Sequence, residues 1–459
     1  MKYRSQAVAY WYFAVAMGLF GLQVAFGLLS AAKYLGPDPL INLVPFDVMK
    51  VIHTNLLVVW VLTGFMGATY WIVPEESRTE LYSVKLAYIQ LGLWVVMGVT
   101  AVIGYFFRYG TGTKLLEQPL PHKITIVVVM LMFLYNIFMT IRRAGRFTTA
   151  ELVLVSGLGL AALLYLPALI PFDNYTVGTF YRWWTIHLWV EGVWEMIQGG
   201  ILAYLLIRLS GADREVMDKW LYVIVGLVFM AGVLGTAHHY YWIGVPQYWL
   251  PIGGFFSALE PVALVGMAIY AYSAMRNSNL QHPNTLAIHW TVGSAVFTMF
   301  GAGLLGLAHT WPAVNQWTHG TLITPMHGHA AFFGAYAMIV EAAIVYTLPA
   351  FNGPRRNPAG GPIGYWAFWL QLAGMFGMTL SFATAGLGQV YLERILGLGF
   401  LETQLKIQVH FLMLLATGAV FATGAALFIW DFFRYRPAFA SEGDSARSEP
   451  KLKTARGMA

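Results

Sequence analysis

The stretch Met326-His327-Gly328-His329 lies inside a long apolar run of the sequence. Each residue of an α-helix turns the side-chain direction by about 100°, so these two histidines point to nearly opposite faces of one helix. An ionisable side chain within the hydrocarbon of a membrane is costly, and its presence is taken first as a sign of function. The stretch therefore predicts one membrane helix that holds a different partner on each of two faces.

The composition predicts a membrane protein. Hydrophobic residues make up 58% of the 459 residues and charged residues only 10%, whereas a soluble domain carries about 25% charged residues. Twelve apolar stretches reach the length of about 20 residues that a bilayer requires, and runs of this length form helices. We expect an all-α integral membrane protein with twelve transmembrane helices, at residues 8–32, 47–72, 84–107, 121–141, 150–171, 179–209, 217–240, 252–275, 285–309, 321–350, 361–390 and 403–434.

The chain has no cysteine. This excludes disulfides, iron–sulfur clusters and a covalent Cys-x-x-Cys-His haem attachment within the chain. The first apolar stretch is too long for the core of a cleavable signal peptide and lacks a convincing cleavage site, so we expect it to be a true span.

Lysine and arginine are distributed unevenly along the chain. They concentrate before the first span, in every second connection and after the last span, which predicts that both termini are cytoplasmic. This asymmetry accounts for the net charge of +6 without any nucleic-acid partner. Residues 1–436 are expected to form the catalytic membrane domain, and residues 437–459, which are rich in alanine, serine and charge, a disordered cytoplasmic tail.

Six histidines fall in the outer part of the membrane under this orientation. The orientation was inferred from lysine and arginine alone, so the agreement among the histidines is independent support for one shared site. They lie near the starts of the second, sixth and tenth spans and at the end of the seventh: His53, His187, His238, His239, His327 and His329.

His187, Glu191 and Glu195 follow an i, i+4, i+8 spacing, which places them on one face of a helix. His187, His238 and His239 together with Glu191 would make a set of three nitrogens and one oxygen. A carboxylate in such a set suits iron better than copper. The remaining histidines suit axial ligation of haem, with one ligand for an open haem and two for a closed electron-transfer haem.

Simpler interpretations of the histidines exist. A lone intramembrane histidine such as His53 can serve as a hydrogen-bond donor in helix packing, and the adjacent pair His238-His239 can form an aqueous rim. His309 stands at a span end beside Trp311 and Pro312, and we expect it to be structural. The pair in the His-Gly-His stretch is harder to explain without a ligand.

With these residues in place, the chain resembles the haem–copper oxidase superfamily. Within it, the chain is similar to the large catalytic subunit of the cytochrome c-dependent nitric oxide reductases, and the likeness extends to about residue 435. The matching segments are HLWVEGVWE at 187–195, GTAHHYYW at 235–242, FSALEP at 256–261 and MHGH at 326–329. The resemblance implies a twelve-helix bundle of the haem–copper oxidase type.

The resemblance also implies a role for each matching residue. The residues implied are His53 and His329 for a low-spin haem b, His327 for a high-spin haem b, and His187, His238, His239 and Glu191 for a non-haem iron. Glu195 and Glu260 match carboxylates that deliver protons. Glu117, in the segment LLEQP, is similar to a glutamate that helps to bind calcium near the haem propionates.

The activity implied is reduction of two NO molecules to N₂O and water in the bacterial inner (cytoplasmic) membrane. Because the chain cannot attach its own haem c, electrons are expected from a membrane-anchored c-type cytochrome subunit, itself supplied by a soluble cytochrome c or a cupredoxin. Residues 201–207 in the inner half of the sixth span are almost wholly apolar. We therefore expect proton uptake from the outer side and no charge translocation.

Two alternatives stay open at this stage. One is an oxygen reductase of the same superfamily, particularly of the C type, with copper in place of iron. The commonest oxygen reductases have a tyrosine four residues after the first metal histidine, where this chain has Glu191. The longer quinol-dependent relatives have an extra N-terminal span, whereas this chain starts almost directly at its first span. The other alternative is a secondary transporter, which also has twelve spans but has no need of six outward histidines.

Overall fold

The computed structural model describes residues 1–36, 43–259, 261–278, 280–351, 361–437 and 453–454. Twelve helices within these residues are long and apolar enough to cross a membrane, which confirms the predicted fold class. They are α1 Arg4–Ala32, α2 Phe46–Ser77, α3 Val84–Phe106, α4 Leu120–Ala144, α5 Thr149–Leu169, α6 Tyr175–Ser210, α7 Arg214–Tyr240, α8 Trp249–Asn277, α9 Thr285–Thr310, α10 Ile323–Ala350, α11 Gly361–Ile395 and α12 Gln408–Phe433.

Two short helices and one small strand pair complete the described elements. Pro312–Thr318 connects α9 to α10, and Phe400–Lys406 precedes α12. Leu280–Gln281 pairs antiparallel with Lys453–Thr454, which is the part of the expected tail beyond residue 437 that the structure describes. The expected start of the last span at residue 403 was wrong, because Ile407 leaves the helical conformation at φ −99° and ψ 11° and separates the short helix from α12.

Polar residues at the helix ends explain the short connections. Thr148 accepts a hydrogen bond from the Glu151 amide while the Glu151 carboxylate accepts one from the Thr148 amide, which is a capping box at the start of α5. Asp213 caps α7 through the Val216 amide. The preceding helix α6 ends at Gly211, whose φ of 69° only glycine adopts without strain.

Three helices form the centre of the bundle. In α2, α6 and α10, 83% of the residues in the most apolar stretch are buried inside the protein, whereas in the other spans the share is at most 50%. The outer spans therefore leave apolar side chains for lipid, and the central three face other helices on nearly all sides. These three helices carry His53, His187 and the His-Gly-His stretch, so four of the six candidate histidines lie on the most enclosed helices, and His238 and His239 lie on α7.

Glycines bring the central helices into close contact, as is common in membrane bundles. A Cβ on Gly64 of α2 would lie 2.4 Å from the Val340 side chain of α10. A Cβ on Gly301 of α9 would lie 2.4 Å from the backbone of Ala330, one residue beyond His329. The backbones of α9 and α10 therefore approach closely beside the histidine pair, which fixes how α10 presents it.

Ion pairs with buried carboxylates connect α2 to α6 and α7 at the end of the bundle that lies away from His53. Glu75 accepts hydrogen bonds from the Tyr204 hydroxyl at 2.7 Å and from Arg208 at 2.9 Å. Glu76 pairs with Arg214 at 2.6 Å. Both carboxylates are buried, and removing one partner from such a pair leaves a charge without compensation. These contacts hold the end of α2 that lies farthest from His53.

Replacing Glu76 by glutamine is expected to destabilise the protein, because Arg214 and Arg208 lose a buried countercharge. The Arg214 side chain is 41% exposed, so the expected cost is that of a lost hydrogen bond to a charged group, about 1.5 kcal/mol, which is measurable as a lower thermal unfolding midpoint of the protein in detergent. The matched control is Glu215→Gln, which removes an exposed pair with Lys219 and should leave the midpoint unchanged. Equal midpoints for both variants would show that the Glu76 pairs do not support the fold.

Candidate metal centre and haem ligands

Four predicted ligands lie together at one end of the bundle. His187, Glu191, His238 and His239 each place a donor atom within 4.8 Å of the others, and among the residues that the structure describes this is the one group of its kind. The Glu191 Oε2 lies 3.4 Å from His187 Nδ1 and 3.8 Å from His238 Nε2, and Oε1 lies 3.6 Å from His239 Nε2. These distances are too long for hydrogen bonds and leave room for a metal ion among the donors.

Several donor atoms of this group have no protein partner. Both ring nitrogens of His187 and the Nε2 of His239 are buried and make no hydrogen bond among the described residues. Burying a polar atom without a partner costs about 1–3 kcal/mol. A metal ion bound to three imidazoles and a carboxylate would satisfy one ring nitrogen of His187 and the Nε2 of His239, so the group fits a metal site.

Neighbouring side chains orient two of the imidazoles. The Nδ1 of His238 lies 2.6 Å from the Ser257 hydroxyl of α8. The ring of His239 stacks on Trp183, with centroids 4.4 Å apart and planes at 7°. Partners of this kind fix the rotation of a metal-binding imidazole. Trp183 of α6 and Ser257 of α8 therefore help to hold these two imidazoles in place.

Glu191 lies in an irregular turn of α6. Residues Trp189–Val193 form a π-helical turn, and Glu191 has φ −109° and ψ 26°, outside the helical range. An i, i+4, i+8 spacing places residues on one face only in a regular helix, and the π turn breaks this regularity. The inserted turn interrupts α6 between His187 and Glu195, and it is the kind of local distortion that marks functional positions.

The two adjacent histidines occupy a tightened helix end. Thr236–Tyr240 forms a 3₁₀ turn at the end of α7, and the ring centroids of His238 and His239 lie 4.1 Å apart. A Cβ on Gly253 of α8 would lie 2.4 Å from the His238 backbone nitrogen. Glycine at 253 therefore lets α8 approach closely enough for Ser257 to reach His238.

His53 of α2 and His329 of α10 face each other. Their ring centroids are 6.0 Å apart and their planes differ by 23°. A metal–imidazole bond is about 2 Å long, so two imidazoles on opposite sides of one metal ion have ring centres about 6 Å apart. The Nδ1 of His53 lies 2.8 Å from the Gln23 carbonyl oxygen, and the Nδ1 of His329 lies 2.7 Å from the Pro325 carbonyl oxygen. The arrangement fits a haem iron held by both histidines.

His327 points to the opposite side of α10, as the sequence spacing predicts. Its Nδ1 lies 3.0 Å from the Gly301 carbonyl oxygen of α9, whereas the ring of His329 contacts Phe382 of α11 at 4.9 Å between centroids. The ring of His309 lies 6.2 Å from that of His327 between centroids, but both ring nitrogens of His309 are hydrogen-bonded. His327 therefore fits a haem with one protein ligand.

The other predicted residues have different surroundings. Glu195 is buried, and its Oε2 has no hydrogen-bond partner among the described residues. Glu117 accepts hydrogen bonds from Asn55 Nδ2 at 2.9 Å and from the Leu115 amide at 2.8 Å. Both ring nitrogens of His309 are hydrogen-bonded, Nδ1 to the Thr318 hydroxyl and Nε2 to the Thr324 hydroxyl, in keeping with a structural role. Glu260 lies outside the described residues.

Sequence reasoning missed the residues that orient the ligands. Ser257, Trp183 and Gln23 are of common types and have no diagnostic spacing from the histidines they contact. Only Ser257 falls within a segment that carries the resemblance, at 256–261. The tertiary structure is needed to find the other two.

Comparisons with known proteins identify the family of the chain. Residues 7–421 match the model of the family "Cytochrome C and Quinol oxidase polypeptide I". The chain is 42% identical over 452 residues to a nitric oxide reductase subunit of Stutzerimonas stutzeri, covering 94% of this chain and 95% of the relative. A cryo-EM structure of a heme-copper terminal oxidase dimer has a similar fold, with a TM-score of 0.70, 13% identity, and coverage of 95% of this chain and 87% of that one. The chain therefore belongs to the family of this nitric oxide reductase polypeptide, within the larger cytochrome c and quinol oxidase polypeptide I family.

Proposed function

We propose that this chain is the catalytic subunit of a nitric oxide reductase. The observation that carries the proposal is the position of Glu191 among His187, His238 and His239. A carboxylate in the ligand set favours iron over copper, and a relative at 42% identity is named as a nitric oxide reductase polypeptide. The family assignment removes the secondary transporter from consideration.

The reaction joins two NO molecules, two electrons and two protons into one N₂O and one water. His53 and His329 would together hold one haem b, which would supply electron transfer, and His327 alone would hold a second haem b, which would supply redox chemistry at the substrate. Bound at these residues, the haem irons and the non-haem iron would supply the redox chemistry of NO reduction.

The chain's own contribution is positioning and exclusion of water. The helix that carries His327, α10, contacts α6 beside Glu191, where the Tyr336 hydroxyl donates to the Val190 carbonyl oxygen. A haem on His327 and a non-haem metal on the Glu191 group would therefore lie on neighbouring helices. Two reactants held side by side gain a large advantage over free encounter in solution, and the buried site limits access of water.

Glu195 is the residue that we propose as the last proton carrier. It lies one turn beyond Glu191 on α6, is buried, and has one carboxyl oxygen without a hydrogen-bond partner among the described residues. A proton held on that oxygen is free to move to a reacting group nearby. The same role for Glu260 rests on the resemblance alone. We propose that protons reach Glu195 from the outer side.

Calcium takes 6–8 oxygen ligands, and no two other Asp, Glu or His side chains of the described residues group with Glu117. Acidic residues of this chain alone would therefore not complete a calcium site. The charge of Glu117 acts instead on Lys114, Lys123 and Arg182. Burial and then Lys50 lower the pKa of Lys114, and Glu117 raises it. We propose that this mainly basic cluster stabilises the carboxylate groups of haem, with no step through calcium.

Electrons must enter from another protein. The chain has no cysteine, so we propose a membrane-anchored c-type cytochrome subunit, reduced in turn by a soluble cytochrome c or a cupredoxin. We place the chain in the bacterial inner membrane with the metal end of the bundle outward. Electrons and protons would then arrive from the same side.

The first test is a metal inventory of the purified complex with its cytochrome subunit. We expect two b haems and one further iron per chain, with no copper, together with consumption of NO. His238→Ala should remove the further iron and keep both b haems, because the residue belongs to the Glu191 group alone. His289→Ala is the control, since His289 contacts a carbonyl of its own helix. Stoichiometric copper would instead identify an oxygen reductase.

Replacing Glu195 by glutamine should slow NO reduction by about a hundredfold, because loss of a positioned proton donor typically costs 10²–10⁴-fold. The iron content and the haem spectra should not change, since Glu195 is not among the grouped ligands. Glu195→Asp keeps a carboxyl group and should retain part of the rate. Unchanged turnover in the glutamine variant would exclude the residue from proton delivery.

Proton uptake from the outer side predicts that turnover moves no net charge across the membrane. The segment 201–207 of α6 is apolar apart from Tyr204, whose hydroxyl is bonded to Glu75, so it offers no continuous path from the other side. The enzyme reconstituted in vesicles with a voltage-sensitive dye should show no potential during NO reduction. A potential that collapses on adding an ionophore would overturn the proposed route.

A further inference from the structure

The π turn that carries Glu191 leaves one backbone carbonyl without its regular partner. In an α-helix the amide of Trp194 would donate to the carbonyl of Val190, four residues earlier. Here that amide donates to the carbonyl of Trp189, five residues earlier, and also to that of Gly192, two residues earlier. The carbonyl oxygen of Val190 is therefore released from the usual helical pattern and accepts a bond from outside α6.

Tyr336 of α10 supplies that bond. Its hydroxyl donates to the Val190 carbonyl oxygen across 146 residues of sequence. Tyr336 is itself part of a second π turn, Phe333–Ala337. The two irregular turns of the bundle's central helices thus meet at one hydrogen bond.

The ring of Tyr336 is fixed by its neighbours. It is buried and packs against Trp194 at 5.2 Å, Phe332 at 5.6 Å and Phe65 at 6.2 Å between ring centroids. These rings come from α6, α10 and α2. With its ring held from three helices, the hydroxyl has little freedom to move away from Val190.

The contact controls the backbone that leads to Glu191. The carbonyl of Val190 and the amide of Glu191 belong to one planar peptide unit. Holding the carbonyl therefore fixes the orientation of that plane and the φ of Glu191, which is −109°. This conformation directs the Glu191 carboxylate to within 3.4–3.8 Å of the three histidines.

We propose that Tyr336 is a positioning residue for the metal centre, acting through the Val190 carbonyl to hold Glu191 in its ligating conformation. The inference rests on the proposed role of Glu191 as a metal ligand. Tyr336 lies seven residues beyond His329 on α10, so the helix that holds both haem ligands also holds the turn that orients the non-haem ligand.

The test is Tyr336→Phe, which removes the hydroxyl and keeps the ring. The complex is stripped of non-haem metal with a chelator and titrated with ferrous iron, while haem absorbance reports assembly. Loss of an outer-shell partner typically weakens metal binding 10–100-fold, so we expect at least a tenfold loss of iron affinity with both haems retained. The electronic spectrum of cobalt(II) bound in place of iron should also change, because its ligand geometry changes.

Tyr204→Phe is the matched control. It deletes another buried tyrosine hydroxyl on α6, bonded to Glu75 at the opposite end of the bundle, and should leave iron affinity unchanged. If both variants bind iron like the parent, or if Tyr336→Phe alone fails to assemble its haems, Tyr336 is only structural and the proposal is overturned.

A double-mutant cycle with Glu191→Gln separates this inference from the proposed function. If Tyr336 acts through Glu191, adding Tyr336→Phe to the Glu191→Gln chain should weaken iron binding by less than twofold. A full tenfold loss in that background would contradict positioning of Glu191. If Glu191→Gln alone leaves iron affinity unchanged, the metal site itself is wrong, which is a different result from failure of Tyr336.

Discussion

Polar groups inside α2, α6 and α10 have no water to bond with, and every one of them must find a partner within the protein or on a bound group. At the end of the bundle that holds Glu75 and Glu76, arginines from α6 and α7 and a tyrosine hydroxyl provide those partners. At the other end, ring nitrogens of His187 and His239 stay unpaired among the residues that the structure describes. This contrast supports a structural role for the carboxylate–arginine cluster and a binding role for the histidines.

The same constraint explains why irregular turns are tolerated at the site. A π turn releases a carbonyl that a membrane cannot solvate, and in α6 the Tyr336 hydroxyl satisfies that carbonyl by donating a hydrogen bond to it. Close helix contacts make this possible. A Cβ on Gly334, within the π turn of α10, would lie 2.5 Å from the backbone of Phe297 of α9. Packing by small residues and the unusual backbone are therefore parts of one arrangement.

The sequence was sufficient for the twelve spans and for the grouping of histidines, because hydrophobic length and lysine–arginine asymmetry are strong signals. It also placed His327 and His329 on opposite faces, which requires only helical periodicity. It did not predict the π turn at Glu191 or the break at Ile407, because local irregularity depends on contacts from other helices. Cytoplasmic termini and the tail at 437–459 stay predictions.

The position of the ligands on α10 has a mechanical consequence. His329 and His327 bind toward different neighbours, one facing His53 of α2 and the other lying against Gly301 of α9. Two turns further along the same helix, Tyr336 holds the turn that carries Glu191. A shift or rotation of α10 would therefore change the surroundings of both proposed haems and of the non-haem ligand together. Because α10 is enclosed by other helices on nearly all sides, such movement is restricted, and the positions of the three sites relative to one another are maintained.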